Sequence, residues 1–192
     1  MQLDKAIKSR RSIRKYKSLS PNWKDILEAI DSARYAPMAG NVFTLNFMLV
    51  DDKEKIEKIA VLSSQQFISE AKYLVLFLTD PSRTINAFGE VDGDKFCKQQ
   101  AGAAIQNFLL KIEESELSTC WIGLFNERKI KQLLKIPEKY NIEALFPIGV
   151  AGEIPKDRNL RELDNFLHFN TFSNRRMKEI KKPEGRYPEG FK

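Results

Sequence analysis

Three arginines flank a single hydroxyl in Arg10-Arg11-Ser12-Ile13-Arg14. A guanidinium is a rigid fork of donors matched to phosphate oxygens, and a serine hydroxyl adds a short donor, so this stretch has the chemistry of an anion site. A solvated basic turn has the same composition, and spacing alone leaves both readings open. Pro37-Met38-Ala39-Gly40-Asn41 is small-sided and contains a permissive glycine. Such a loop can lie flat against a planar ligand, or it can be only a turn. Pro147-Ile148-Gly149-Val150 interrupts an apolar run with a residue that lacks a donor and one that admits a close neighbour. A ligand edge taking free amides would use both, and so would an edge strand with a bulge. Lys156, Arg158 and Arg161 form a sparser basic group, suited to an anion or to a solvated face. The two cysteines, Cys97 and Cys120, make neither a disulfide framework nor a four-thiolate metal site. His168 is the single histidine, without evident metal partners, and is read as packing or surface.

These residues need elements to hold them. The central one is a helix within 96–123, where Ala101, Ala104, Ile105, Phe108, Leu109 and Ile112 share a face. Gly102, Ala103 and Ala104 would let another backbone come close. Thr119 to Gly123 reads as a buried turn or short strand. A first helix is expected over 2–11 with Leu3, Ala6 and Ile7 inward. A second is expected from Ser20-Pro21, with Trp23, Ile26, Leu27, Ile30 and Ala33 as its stripe, ending before Tyr35. Leu45–Val50 is a strand, Lys53–Leu62 a helix, and Tyr73–Leu78 a central strand covered on both faces. Residues 79–94 read as a polar excursion bordering a cleft. A short helix at Glu127–Leu134, an apolar strand region at 144–152, and a helix marked by Leu160, Leu163, Phe166 and Leu167 follow. The aromatic tail 170–192 needs another surface to pack on.

The 192 residues, 42% hydrophobic and 30% charged, suit one substantial core. No run reaches the roughly 20 apolar residues that span a bilayer, and no apolar segment marks a signal peptide. A reducing cytoplasm is the expected compartment, with no membrane partner. The net charge of +6 favours polyanions or small phosphorylated ligands. Neither basic cluster, 8–17 or 175–182, is interleaved with aromatics as a single-strand surface would be, so nucleic acid is not expected.

In this order, the segments resemble the FMN-dependent nitroreductases over nearly the whole chain. The resemblance is carried by Arg10 to Arg14, Ala36 to Asn41, Ala101-Gly102-Ala103-Ala104-Ile105-Gln106-Asn107 with Cys120-Trp121-Ile122-Gly123, Pro147 to Val150, and the closing stretch Leu163 to Asn170. It implies an α+β fold with a central, mostly antiparallel sheet flanked by helices, in an intertwined homodimer. It implies a single domain over 1–192, with 170–192 an extension packing on the partner. Arg10 and Ser12, with Arg11 beside them, are then expected at the FMN phosphate, and Arg158 or Arg161 would complete the cage. Arg14 is expected at the flavin N1/O2 edge. Pro37, Met38, Ala39 and Asn41 would come from the other subunit. Amides around Pro147, Ile148 and Gly149 would address N5/O4. The implied reaction is hydride transfer from NAD(P)H to flavin N5 and then reduction of a nitroaromatic or quinone by a ping-pong course, with no catalytic side chain. Val42-Phe43 and Gln100 depart from the family pattern. A substrate-dedicated flavoenzyme and a non-catalytic flavin-binding dimer are the alternatives.

Overall fold

The apolar run Tyr73–Thr79 forms β2, buried along nearly its whole length. Its neighbours are β1 (Leu45–Val50) and β4 (Asn141–Gly149), both antiparallel to it. The two-residue β3 (Ser118–Thr119) completes a four-stranded sheet of order β1-β2-β4-β3. The structure is a computed structural model and describes residues 2–177. Side chains alternate across the sheet as strand geometry requires. Val75, Phe77, Ala144, Phe146 and Ile148 pack with α2 (Trp23–Ala33) and α5 (Glu90–Glu114). Leu74, Leu76, Leu78, Ile142 and Leu145 face the other way, against α3 (Lys53–Leu62) and α6 (Glu127–Leu134). Phe77 meets Phe47, Phe108 and Phe146 edge-on at 5.0, 5.1 and 5.3 Å, which ties sheet and helix at the centre. The fold is α+β, with helices on both faces of an antiparallel sheet.

β1, α3 and α6 match their expected bounds, and the α5 face from Ala101 to Ile112 is buried as its period requires. Several expectations need correction. The excursion 79–94 is helical: α4 (Ser82–Phe88) ends at Gly89, φ 79°, and α5 starts at Glu90. A Cβ on Gly93 would lie 2.5 Å from the Ile85 Cα, so a bare α-carbon lets α4 and α5 touch. That contact carries no sequence period. Among the described residues nothing lies within 4 Å of a Cβ built on Gly102, so the close approach expected there is not made by them.

The start of α2 is capped by Asn22, whose side chain accepts from the Lys24 amide at 3.1 Å, rather than by Ser20. Its buried line is Ile26, Ala29 and Ala33, while Trp23 and Leu27 are exposed. In α1 (Leu3–Ser9) only Ala6 is buried, and Leu3 and Ile7 face outward, because this short helix offers α5 a single line of contact. The helix expected around Leu160 to Leu167 is one 3₁₀ turn, Leu163–Asn165. Extended backbone at Glu162 precedes it, and Phe166 already has a non-helical φ of −139°.

The chain forms two compact units, Met1–Pro155 and Lys156–Lys192. In the second, the His168 ring stacks on Phe172 at 4.3 Å and its Nδ1 accepts from the Ser173 amide at 2.8 Å. The tail expected at 170–192 lies, beyond 177, outside the described residues. Among those residues no helix is long and apolar enough to cross a membrane, and no cluster of three or more His, Cys, Asp or Glu is placed to hold a metal.

Candidate functional site

The arginine segment leaves α1 through the Arg10 amide, which donates to the Ala6 carbonyl at 3.1 Å. The Arg11 guanidinium donates back to the Lys8, Ser9 and Arg10 carbonyls at 2.6, 3.1 and 3.1 Å. It thereby covers the carbonyls that a helix end leaves without partners. Beyond it the chain is extended along the open side of β3. Ser12 bridges Thr119 in parallel, and the Ile13 amide donates to the Thr119 carbonyl at 3.0 Å. Lys15 to Lys17 then run along the continuation of β4, with Lys17 N to Val150 O at 2.9 Å and Gly152 N to Lys15 O at 2.8 Å.

Two carboxylates hold this stretch by its backbone. Glu153 Oε1 accepts from the Arg14 amide at 2.6 Å, and Glu70 Oε2 from the Tyr16 amide at 3.4 Å. The Tyr16 hydroxyl lies 2.9 Å from the Ile13 carbonyl and 3.2 Å from the Pro147 carbonyl. Burial raises the Tyr16 pKa, and Cys120 and Glu153 reinforce the shift, so the phenol stays protonated. Burial likewise pushes the Cys120 thiol up, opposed by the Arg14 charge, a hydrogen bond with Ser12 and the Arg10 charge. The Arg10 and Arg14 charges and the Ser12 hydroxyl thus all act on one buried thiol, and the Arg14 residue is exposed. Just past it, Trp121 and Leu124 present apolar surface at 44% and 81% exposure.

Pro147, Ile148 and Gly149 are brought to this cluster, though as buried members of the ladder. Ile148 is registered with Tyr73 on one side and Thr119 on the other, and Gly149 with Ser118. A Cβ on Gly149 would meet the Tyr16 ring at 2.6 Å. Glycine is required there for a side chain to lie across the strand.

The 37–41 stretch is built separately. Ala39–Asn41 is a 3₁₀ turn with Gly40 at φ 53° and Asn41 at φ 58°. A Cβ on Gly40 would come within 2.7 Å of the Phe88 ring. Gln100, buried in α5, accepts from the Thr44 amide at 2.9 Å and from the Thr44 hydroxyl, and its amide nitrogen donates to the Val42 carbonyl at 3.3 Å. An acid in its place would lack that donor. Pro37, Met38 and Ala39 line a hollow of about 330 Å³ with Phe96, Gln99 and Gln100. Met38 and Asn41 line another of about 380 Å³ with Arg34, Tyr35 and Phe43. A further hollow of about 900 Å³ is an open groove between α1, α2 and α5, and none of the expected site residues lines it.

One chain does not bring the loop and the arginine segment together. The loop feeds β1 at Leu45, which is registered with Thr79 and through it with Asn141. The arginine segment meets Thr119, registered with Ile148 and through it with Tyr73. The two sit at opposite ends and opposite edges of the sheet, separated by roughly 20 Å along the strands and roughly 19 Å across them. Arg158 and Arg161 belong to the second unit and are exposed. Sequence reading missed Tyr16, Glu70, Glu153 and Cys120 as members of the cluster. Glu153 and Arg14 are 139 residues apart, and no periodicity links them.

The antiparallel sheet with helices on both faces is an α+β architecture of the nitroreductase type. The Nitroreductase family model matches residues 7–76 and 60–150, and the chain belongs to that family. A protein of Methanothermobacter thermautotrophicus described as an NADH dehydrogenase/NAD(P)H nitroreductase is 28% identical over 169 residues, 85% of each chain. The structure of an FMN-dependent nitroreductase from Clostridium difficile R20291 superposes with a TM-score of 0.74 at 27% identity, covering 87% of this chain and 98% of that one. An iodotyrosine deiodinase of Thermotoga neapolitana is 22% identical over 181 residues, 86% of this chain and 96% of its own. Membership makes the protein a flavoprotein oxidoreductase whose cofactor is FMN.

Proposed function

We propose that the protein is a homodimeric, NAD(P)H-dependent FMN oxidoreductase that reduces a nitroaromatic, quinone or similar small acceptor by a ping-pong course. The observation that carries this reading is the distance between its two ligand-facing stretches. The Arg10–Arg14 segment and the 37–41 loop cannot meet on one flavin within a chain, but two copies can pair one stretch of each. The open surface at Gly102, where nothing lies within 4 Å of a Cβ built there, supports the same pairing.

The chemistry of the segment fits an anionic cofactor: two guanidinium charges and a hydroxyl act on the same thiol, Cys120. In this reading Arg10 and Ser12 hold the FMN phosphate, with Arg158 or Arg161 as a further cation. Arg14 sets a positive charge at the N1/O2 edge, where negative charge develops on reduction. When bound, FMN supplies the hydride-accepting N5 and holds two electrons between the half-reactions. Pro37, Met38, Ala39 and Asn41 of the second copy cover the ring. Pro147, Ile148 and Gly149 act through the segment they anchor, because their backbone lies in the ladder. Arg11 shapes the segment by closing α1. The buried free cysteines suit a reducing cytoplasm.

The test is an absorption spectrum of the purified protein, followed by anaerobic addition of NADH and NADPH. A flavin spectrum that bleaches with either supports the reading, and a colourless protein that takes up no FMN ends it. The deiodinase relative favours one second reading, a substrate-dedicated reductase acting on a halogenated aromatic. Rapid bleaching with little turnover of quinones and nitroaromatics would select that reading.

A further inference from the structure

We infer that Tyr16, together with Glu153, is a positioning residue that fixes Ser12 and Arg14 in the form that takes the cofactor anion. The inference rests on the reading of the arginine segment as the FMN site. Backbone bonds secure the segment at Ile13 and again at Lys15 and Lys17. Between these anchors the Arg14 amide has a side-chain partner, Glu153 Oε1 at 2.6 Å. The Tyr16 hydroxyl reaches back over the same span to the Ile13 carbonyl at 2.9 Å. That carbonyl lies between Ser12 and Arg14, so holding it orients both side chains.

The strand is built to receive this tyrosine. Leu145 exchanges both its backbone bonds with Ile122, each at 3.0 Å. Two residues on, Pro147 faces the same side by strand alternation, where it has no N–H to offer and its carbonyl lies 3.2 Å from the Tyr16 hydroxyl. Gly149 leaves room for the ring. One phenol proton thus serves two carbonyls, one on the arginine segment and one on β4. Removing it leaves two part-buried acceptors without that donor.

The experiment uses the full chain. Tyr16→Phe keeps the ring over Gly149 and deletes the hydroxyl. Glu153→Ala deletes the acceptor, and Glu153→Gln restores one. FMN and riboflavin dissociation constants are measured by flavin-fluorescence titration, with the thermal midpoint of each flavin-free variant alongside. Tyr16→Phe is expected to weaken FMN on the order of 5- to 10-fold, the size of one hydrogen bond, and to lower the FMN-to-riboflavin preference by a similar factor. Glu153→Ala should do the same, and Glu153→Gln should recover most of the loss. In the double variant with Ser12→Ala, the combined loss should be smaller than the product of the single losses, since both act on one contact. A lower midpoint with an unchanged FMN-to-riboflavin preference would make Tyr16 merely structural and overturn the inference. If Tyr16→Phe does not fold, the Glu153 pair decides by the same criterion. If wild type binds FMN but Ser12→Ala and Arg14→Ala leave its affinity unchanged, the site reading itself fails, and the inference goes with it.

Discussion

Arg14 has its backbone anchored and its side chain in solvent-accessible surroundings, which separates its two contributions. Arg14→Ala keeps the amide bond to Glu153 and removes the guanidinium, both its charge and its hydrogen bond with the Cys120 thiol. FMN affinity should fall about 10-fold or more, as for a charged hydrogen bond worth about 1.5–3 kcal/mol. The flavin midpoint potential should become more negative, on the order of 30 mV for each 1.4 kcal/mol of lost stabilisation of the reduced form. Spectroelectrochemistry on the variant checks this, and an unmoved potential would remove Arg14 from the N1/O2 edge. Gln100 explains one departure from the family pattern at the same scale. Its amide serves both polarities of the 42–44 backbone, and Arg83 donates to the Phe43 carbonyl at 3.0 Å. Val42 and Phe43 are therefore held by their backbone, and the Phe43 side chain packs against the core.

The α4–α5 corner is the element that sequence period could not describe. Gly93→Ala should raise intrinsic helix propensity by about 1 kcal/mol and still destabilise the protein, because both contacting groups are backbone and neither can rotate away. A net loss of about 1–3 kcal/mol in denaturant melts is expected. No loss would mean that the helices separate freely. The start of α4 depends on Asp80, which is buried and accepts from the Ser82 hydroxyl and from Lys139 Nζ at 3.0 Å. The Ser82 hydrogen bond, and then Lys139, hold the carboxyl below its usual pKa against the opposing effect of burial. The unfolded chain therefore binds this proton at a higher pH than the folded one. The stabilisation is fully present above the ordinary aspartate pKa of about 3.9 and is lost as pH falls through the lower native value. Asp80→Asn should cost about 1–3 kcal/mol at neutral pH, with the gap to wild type narrowing below about pH 4. Paired thermal melts across pH 3 to 7, on the order of that window, check it, and a gap independent of pH would deny the carboxylate this role.

At the scale of the whole molecule, the proposed flavin site needs two copies of the chain. Sedimentation should give a dimer that holds two FMN. Dilution below the dimer dissociation constant should release flavin, since binding and association are then linked. A stable monomer that retains FMN would break the link between the Arg10–Arg14 segment and the 37–41 loop. The groove between α1, α2 and α5, with Leu3, Leu27 and Tyr35 at its rim, is a second apolar surface that the described residues leave uncovered.

Period and composition alone determined β1, α3, α6 and the buried face of α5, because each is a local pattern reporting directly on burial. The Arg10–Arg14 cluster was legible as anion chemistry because residue types state their own donors. The 37–41 loop was legible as compact for the same reason. Which of these groups share a site was decided only by the tertiary structure. Strand register carries the loop to one corner of the sheet and the arginines to the opposite one. Tyr16 and Glu153 join the arginine segment through contacts with Pro147 and Arg14, 131 and 139 residues away. Such pairings are fixed by the order in which strands align, and no local spacing in the chain encodes it.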